Sequence, residues 1–199
     1  MSNRPVTTKE RILDAAEGLM LVKSFHSVGL NEILTAVQVP KGSFYHYFKS
    51  KEQFGVEMLK HYVADATAWK TRMLLSPEPE PDALRRLLTY FEGNIAKSHE
   101  CEGRFPCLVA KLAAEVADFS DDMRVVLAAG TVEWLDILRQ LIDQGVVQKS
   151  IHPQPDAAAT AAVIQDLWNG AMQRAAVARS TDPLRAVVDF IRTWLSPRT

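Results

Sequence analysis

The strongest structural signal in this chain lies in fourteen consecutive residues, Val39-Pro-Lys-Gly-Ser-Phe-Tyr-His-Tyr-Phe-Lys-Ser-Lys-Glu52. Phe44 and Phe48 are four residues apart, so that on an α-helix both rings share one face and can enter a core. The face that remains exposed is basic, aromatic and rich in hydrogen-bonding groups. It is formed by Lys41, Gly42, Ser43, Tyr45 and His46. The stretch therefore predicts a short helix over 41–48 with a buried side and a polar side.

Two amphipathic segments precede this helix. Thr7 and Glu10 have the spacing of a capping box, in which each side chain satisfies a backbone N–H at a helix start. A second, shorter helix is predicted to open at Gly29 and to present Ile33 and Leu34 to the core. Three short helices in the N-terminal part, with a tight turn between the second and the third, are the layout of a helix-turn-helix.

The polar face of the 41–48 helix has the chemistry to contact DNA. Its ammonium, hydroxyl and imidazole groups can donate to phosphates and base edges, and Gly42 lets the backbone come close. Lys49 and Lys51 follow at the start of the next helix, where backbone N–H groups also favour a phosphate. A solvated helix with a few lysines has the same composition, so the residues alone leave both interpretations open.

Beyond residue 50, helical periodicity continues without strand-like alternation. Ser50 and Gln53 form a second capping box, which starts a long helix over 51–75. The polar, proline-rich segment 76–82 interrupts the pattern. Further helices are predicted over 83–100, 105–117, 121–144, 156–178 and 183–195, with Gly145 as the C-cap of the third. The chain is therefore predicted to be all-α, with nine helices.

Composition excludes several classes of protein. The 199 residues are 47% hydrophobic and 24% charged, with a net charge of −1, as in an ordinary globular chain. The apolar runs are far shorter than the roughly 18 residues of a membrane-spanning helix, and no apolar secretory signal opens the chain. Two cysteines are too few for a disulfide framework or a structural zinc site. We therefore expect a cytoplasmic protein that holds no metal and no cofactor. A metal site at His99, Cys101 and Cys107 is the alternative, but no fourth ligand is evident.

The run from Val39 to Glu52 resembles the signature of the TetR family of bacterial transcriptional regulators, and the resemblance extends over the whole chain. It implies a nine-helix fold, with a helix-turn-helix DNA-binding domain over 1–50 and an effector-binding and dimerisation domain over 51–199. It also implies a homodimer that binds double-stranded DNA at a pseudo-palindromic operator and is released by a small-molecule effector. Such a protein is expected to act as a repressor and not as an enzyme.

The same resemblance implies particular contact residues. The family's DNA-contacting positions fall on Asn31, Lys41, Gly42, Ser43, Tyr45, His46 and Lys51. Pro40 departs from the pattern, because the family often has a capping serine or threonine there and proline has no side-chain cap to offer. The dimer contact would fall on 156–178, which is rich in small residues, and on 183–195. The same composition would also suit a core within one chain.

Cys107 has the most distinctive chemistry in the rest of the sequence. Pro106 suits a first helical turn, so that Cys107 would lie near a helix N-terminus, where the dipole favours a thiolate. Arg104 and Lys111, three residues before it and four after it, would add to that effect. An inert cysteine that fills a small space in the core is the alternative. A small helical enzyme with Cys107 as nucleophile and His99 as base is more remote, because no catalytic signature accompanies them.

The residues from Cys107 to Arg124 resemble one branch of the TetR family, which includes regulators of N-ethylmaleimide reductase and of acrylate utilisation. That branch responds to reactive chlorine, quinones, aldehydes or acrylate-like molecules, which implies that Cys107 senses an electrophile. The branch has a lysine that partners the oxidised cysteine. It aligns with Ala176 here, so that a sulfur–nitrogen bond at that position is unavailable. Direct alkylation of Cys107, a disulfide or non-covalent binding remain. A non-covalent, acrylate-like or hydrophobic effector with an inert Cys107 is the second interpretation.

The middle helices also contain candidate pocket residues. A ligand cavity is expected there, and Trp134 and Trp168 are candidates to contact the effector. Trp69, Phe91 and Phe105 are further aromatic candidates. Large aromatic side chains more often belong to a core, so their presence alone does not define a pocket.

Overall fold

The computed structural model describes residues 7–100, 107–154 and 156–197. Within these ranges the chain forms nine α-helices and no strand, which confirms the predicted fold class. The helices are α1 (Thr8–Val22), α2 (Leu30–Ala36), α3 (Lys41–Tyr47), α4 (Lys51–Leu75), α5 (Ala83–Glu100), α6 (Leu108–Val116), α7 (Asp121–Val147), α8 (Ala157–Ala178) and α9 (Asp182–Leu195). Among the described residues, no helix combines the length and the apolar character that crossing a membrane requires.

The chain divides into two compact units. The first comprises Met1–Asp65 and Cys107–Ala129, which hold α1 to α3, the beginning of α4, α6 and the beginning of α7. The second comprises Ala66–Pro106 and Gly130–Thr199, with the rest of α4 and α7 and with α5, α8 and α9. These units are defined by packing and not by function, so the functional boundary predicted at residue 50 stays a prediction.

One hydrophobic core fills the first unit. Its largest buried side chains are Ile12, Met20, Phe25, Ile33, Phe44, Phe48, Phe54, Met58 and Leu59. α6 adds Leu108, Leu112 and Val116, which recur every four residues on one face. Burial of each large apolar side chain contributes about 1.5–3 kcal/mol. This shared core therefore stabilises α2 and α3, which are too short to persist as isolated helices.

Backbone hydrogen bonds shape the turn between α2 and α3. Gln38 takes a left-handed conformation with φ 56°, and the Val39 N–H donates to the Leu34 carbonyl at 3.0 Å. A guanidinium N–H of Arg11 in α1 donates to the Val37 carbonyl at 2.7 Å. The end of α2 is therefore fixed both by its own backbone and by α1, which completes the predicted helix-turn-helix.

The two predicted capping boxes differ in the structure. At α1 the box is complete, because the Glu10 N–H donates to the Thr7 hydroxyl and the Thr7 N–H donates to the Glu10 carboxylate. At α4 the Gln53 N–H donates to the Ser50 hydroxyl at 3.0 Å, as predicted. The Gln53 side-chain oxygen, however, accepts the N–H of Lys49 at 3.1 Å, one residue earlier than a capping box requires.

α7 is longer than predicted, because Gly145 is not its C-cap. The helix runs to Val147, and Lys149 takes the left-handed conformation with φ 62°. The amides of Ser150 and Ile151 both donate to the Gly145 carbonyl, at 2.9 and 3.0 Å. A Cβ on Gly145 would lie 2.5 Å from the Ile151 side chain, so the glycine is required for close packing and not to end the helix.

In the second unit, α9 packs against both α8 and α5. Its buried side chains are Leu184, Val187, Val188, Ile191 and Leu195. The proline-rich segment 76–82 is held by Arg86 of α5, which is only 3% exposed. Its guanidinium donates to the carbonyls of Leu74, Glu80 and Pro81 and to the side-chain oxygen of Gln144, at 2.7 to 2.8 Å. The predicted interruption is therefore a fixed connection between two helices.

Gly55 of α4 provides a test of packing in the first unit. A Cβ there would lie 2.6 Å from the ring of Phe25 and 3.0 Å from Met123, both of them buried. Gly55→Ala should therefore lower the free energy of unfolding by about 1–2 kcal/mol, because the cost of overpacking exceeds the gain in helix propensity. In the control Gly18→Ala nothing lies within 4 Å, and stability should rise by about 0.5–1 kcal/mol. Urea unfolding measures both changes, and effects of the same sign would contradict this packing.

Candidate DNA-binding surface and thiol site

α3 is anchored by three phenylalanine rings. Phe44 and Phe48 meet Phe54 of α4 with ring centroids 5.0 to 5.4 Å apart, and each ring is at most 1% exposed. These separations are those of attractive aromatic pairs. Pro40 is the N-cap of α3 without a side-chain bond, and its carbonyl accepts the Ser43 N–H at 2.9 Å. The ring cluster and the backbone together fix which side of α3 meets solvent.

The opposite side of α3 is open to solvent. Tyr45 is 59% exposed, and its ring meets that of Phe44 edge-on at 5.5 Å, which holds the phenol outward. Lys41, Gly42 and His46 are exposed, and Ser43 is partly buried. A Cβ on Gly42 would meet nothing within 4 Å, so the backbone there is accessible to a ligand. The structure thus places the predicted residues of α3 on one face, while their contact with DNA stays a prediction.

The two remaining DNA-binding candidates come from α2 and α4. Asn31 of α2 is exposed and lines a shallow groove together with Lys41. Lys51 is also exposed, but its ammonium donates to the His26 carbonyl at 3.2 Å and lies 5.3 Å from the ring centroid of Phe25. An ammonium has three donors, so this bond leaves Lys51 able to donate to a phosphate. Lys51 therefore also ties α4 to the loop between α1 and α2, a role that the sequence did not indicate.

Cys107 is the N-cap of α6, with extended backbone at φ −112° and ψ 99°. The helix predicted over 105–117 begins later, at Leu108, and residues 105 and 106 lie outside the described ranges. The Leu108 N–H donates to the Tyr62 hydroxyl at 3.1 Å, and Cys107 is among the neighbouring groups that raise the pKa of Tyr62. Burial raises the pKa of Tyr62 well above its ordinary value, so the phenol stays neutral and keeps its O–H.

Of the two cations predicted beside Cys107, Arg104 lies outside the described residues. The Lys111 ammonium donates to the Leu21 carbonyl at the end of α1, at 2.7 Å. The Lys111 N–H donates to the Cys107 carbonyl at 3.1 Å, which closes the first turn of α6. Lys111 is thus connected to Cys107 through the backbone and to α1 through its side chain.

A cluster of ionisable side chains between α1 and α4 was missed by sequence reasoning. One carboxylate oxygen of Glu17 is buried and has no hydrogen-bond partner in the described part of the chain. Burial raises the pKa of Glu17 to about 7, and nearby His61 opposes that shift. His61 Nε2 lies 2.8 Å from Asp14 and 3.8 Å from Asp65. Burial would lower the pKa of His61, but the neighbouring carboxylates raise it overall.

The candidate pocket residues Trp134 and Trp168 belong to the second unit and are each 6% exposed. Trp134 packs against Tyr90 at a centroid separation of 5.2 Å, and its N–H donates to the Gln165 side chain at 2.5 Å. Trp168 packs against Phe91 at 4.5 Å. Both tryptophans therefore belong to a packed aromatic group, and their contact with an effector stays a prediction.

A helix-turn-helix with an exposed basic and hydroxyl-bearing face, in a chain that continues into a larger helical part, defines a helical DNA-binding regulator. Residues 12–58 match the family described as bacterial regulatory proteins, tetR family, and residues 83–191 match the tetracyclin repressor-like C-terminal domain. The chain belongs to the TetR family. Regulators of this family bind DNA, dimerise and respond to small-molecule effectors.

Two relatives and one solved structure are similar to this chain over most of its length. The HTH-type transcriptional repressor NemR of Escherichia coli (strain K12) is 35% identical over 95% of this chain and 94% of its own length. The transcriptional regulator AcuR of Cereibacter sphaeroides is 35% identical over 86% of this chain and 76% of its own length. The crystal structure of reduced E. coli NemR matches with a TM-score of 0.86 and 34% identity, over 97% of this chain and all of the other. These matches confirm the resemblance to the branch.

Proposed function

We propose that this chain is a transcriptional repressor that binds a pseudo-palindromic operator as a homodimer and is released by a reactive electrophile at Cys107. The exposed face of α3 is the observation that supports DNA binding in this proposal. The buried Phe44 and Phe48 fix the helix so that Lys41 and Tyr45 point into solvent. The other proposed DNA contacts are Asn31, Gly42, Ser43, His46 and Lys51. Ammonium, imidazole and hydroxyl groups can read the donor and acceptor pattern of the major groove, which differs for each base pair.

The homodimer is proposed to form through the outer sides of α8 and α9. Three residues there are exposed, Val163, Gly170 and Phe190, and two more are partly exposed, Leu167 and Trp194. The rings of Phe190 and Trp194 lie 5.7 Å apart, which gives α9 an apolar outer edge. By contrast, Ala171 and Ala175 are each 1% exposed and serve the core within one chain. Apolar patches on a surface favour a self-complementary contact between two copies.

The effector is proposed to be an electrophile that adds to the Cys107 sulfur. The thiolate forms a bond to the β-carbon of an unsaturated carbonyl or a quinone, a proton is taken up at the α-carbon, and no group leaves. The Tyr62 oxygen accepts the Leu108 N–H, and Tyr62 interacts with Cys107, so the phenol is placed to assist the reaction at the sulfur. Addition would therefore break the hydrogen bonds at the start of α6.

Substitutions on α3 test the DNA contact. Lys41→Ala and Tyr45→Ala should each weaken specific binding by about 1–3 kcal/mol if the side chains contact bases. Lys51→Ala should instead reduce the slope of log affinity against log salt by about 0.9, as expected for a phosphate contact. DNA selected from a random pool and then titrated by fluorescence anisotropy provides both measurements.

The matched control for these variants is Lys60→Ala, which removes an exposed lysine of α4, nine residues after Lys51. It should leave specific binding within experimental error of the unmodified chain. A footprint that is unaltered by the double change Lys41→Ala, Tyr45→Ala would contradict the assignment of α3.

Val163→Arg tests the dimer contact. The arginine should place an unpaired charge in an apolar seam, where its desolvation is costly, so the protein should become monomeric. Val147→Arg, at an exposed position where α7 ends, is the control and should stay dimeric. Sedimentation at micromolar concentration measures the mass. A single-chain mass for the unmodified protein would overturn the proposed homodimer.

Reactivity at Cys107 is best measured with Cys101→Ser as the background, because the chain has two cysteines. Tyr62→Phe should slow labelling by a maleimide about tenfold, since a hydrogen bond to a charged sulfur contributes roughly 1.5 kcal/mol or more. Tyr90→Phe, in the second unit, is the control and should leave the rate unchanged. A Cys107→Ser protein that still releases DNA on quinone treatment would refute covalent sensing and favour a non-covalent effector.

A further inference from the structure

Two oppositely charged side chains of α6 bind one short segment at the end of α1. Lys111 and Glu115 are four residues apart, so they lie on the same face of the helix. The Lys111 ammonium donates to the Leu21 carbonyl at 2.7 Å. The two oxygens of Glu115 accept the backbone N–H groups of Phe25 and His26, each at 3.0 Å, and the His26 ring nitrogen Nδ1 lies 2.8 Å from one of them.

The charges of this pair suit the groups that they bind. The last carbonyls of a helix carry partial negative charge, which a lysine stabilises, and two successive backbone N–H groups form a site for an anion. Burial would raise the pKa of Glu115, but the hydrogen bonds from His26 and Phe25 outweigh it and lower the pKa overall. Glu115 is therefore a carboxylate at neutral pH, and both of its oxygens accept hydrogen bonds.

The bound segment leads directly into the helix-turn-helix. Phe25 is buried in the core, and the ring of His26 meets Phe119 edge-on at 4.7 Å. The His26 carbonyl accepts the ammonium of Lys51, at the start of α4. Residues 24–29 then connect to α2, so the position of this loop bears on both α2 and α4, which flank α3 along the chain.

The other end of α6 carries the thiol site. The Cys107 carbonyl accepts the Lys111 N–H at 3.1 Å, so Cys107 and Lys111 share the first turn of the helix. α6 has nine residues, about two and a half turns and about 14 Å at 1.5 Å per residue, and we take so short a helix to move as one rigid piece. A displacement of Cys107 therefore also displaces Lys111 and Glu115.

We propose that Lys111 and Glu115 are positioning residues that transmit a change at Cys107 to the DNA-binding helices through the loop between α1 and α2. This proposal rests on the proposed function, because it takes Cys107 as the site of the signal. Without the pair, α6 would still react at Cys107, but its movement would no longer reach the loop.

The test compares DNA affinity before and after addition of N-ethylmaleimide to Cys107, in the Cys101→Ser background. The ratio of the two dissociation constants measures the coupling, and values of about 5 to 150 are usual for allosteric proteins. Glu115→Gln and Lys111→Met should each bring the ratio close to 1, and Lys111→Arg should restore it. The affinity of each untreated variant is measured as well, and a ratio near 1 supports the proposal only where the untreated variant binds DNA as tightly as the background protein. Mass spectrometry confirms equal labelling.

Asp118→Asn is the matched control, since it also removes one negative charge, from an exposed residue three positions after Glu115. Its ratio should equal that of the background protein. A Glu115→Gln variant that is fully labelled and still releases DNA as the background protein does would overturn the proposal.

Hydrogen exchange at the amides of Phe25 and His26 separates this proposal from the proposed function. In the background protein, the maleimide adduct should accelerate exchange at these two amides at least tenfold. Accelerated exchange without release of DNA would refute the proposed function and leave the connection from Cys107 to the loop intact. Complete labelling without any change in exchange would refute the role of Lys111 and Glu115.

If Cys107 does not react at all, electrophile sensing is refuted. Hydrogen exchange in the Glu115→Gln variant, without any adduct, still tests whether Glu115 binds the loop between α1 and α2. That substitution should then accelerate exchange at Phe25 and His26 at least tenfold, whereas Asp118→Asn should not. Equal exchange in the two variants would overturn the proposal by itself.

Discussion

The contact among the rings of Phe44, Phe48 and Phe54 is the constraint on which the exposed side of α3 depends. α3 has seven residues, which is too short for a helix to persist by itself in water. Burial of each ring contributes about 1.5–3 kcal/mol, and two of the rings lie on one face of α3. Because side chains leave a helix at fixed angles, pinning that face also fixes the outward direction of Lys41 and Tyr45.

α6 also connects separate parts of the first unit, through polar contacts in addition to its buried apolar face. The N–H of its first residue, Leu108, donates to the Tyr62 hydroxyl. Lys111 binds the end of α1, and Glu115 binds the loop that follows. The apolar face of the same helix is buried in the core of the first unit, so a movement of α6 must change its polar contacts and its packing together.

Local patterns predicted most of the helix boundaries and failed where packing against a residue outside the helix intervened. Asp156 caps α8 and Thr7 caps α1, because capping depends on residues two or three positions apart. Gly145 was expected to end α7, but the close approach of Ile151 requires the missing Cβ instead. The small residues of α8 likewise divide between an inner face, with Ala171, and an outer one, a distinction that composition does not contain.

The sequence by itself determined the nine helices, the buried and exposed faces of α3 and the membership of the TetR family. The helices and the faces of α3 depend on spacings within a few residues, where the geometry of an α-helix leaves little choice, whereas family membership rests on similarity over most of the chain. Tertiary structure alone decided that Lys51 binds the His26 carbonyl, 25 residues away, and that Lys111 binds the Leu21 carbonyl, 90 residues away. It also decided that one oxygen of Glu17 is buried. No local pattern predicts such contacts, because they form only when packing brings distant parts of the chain together.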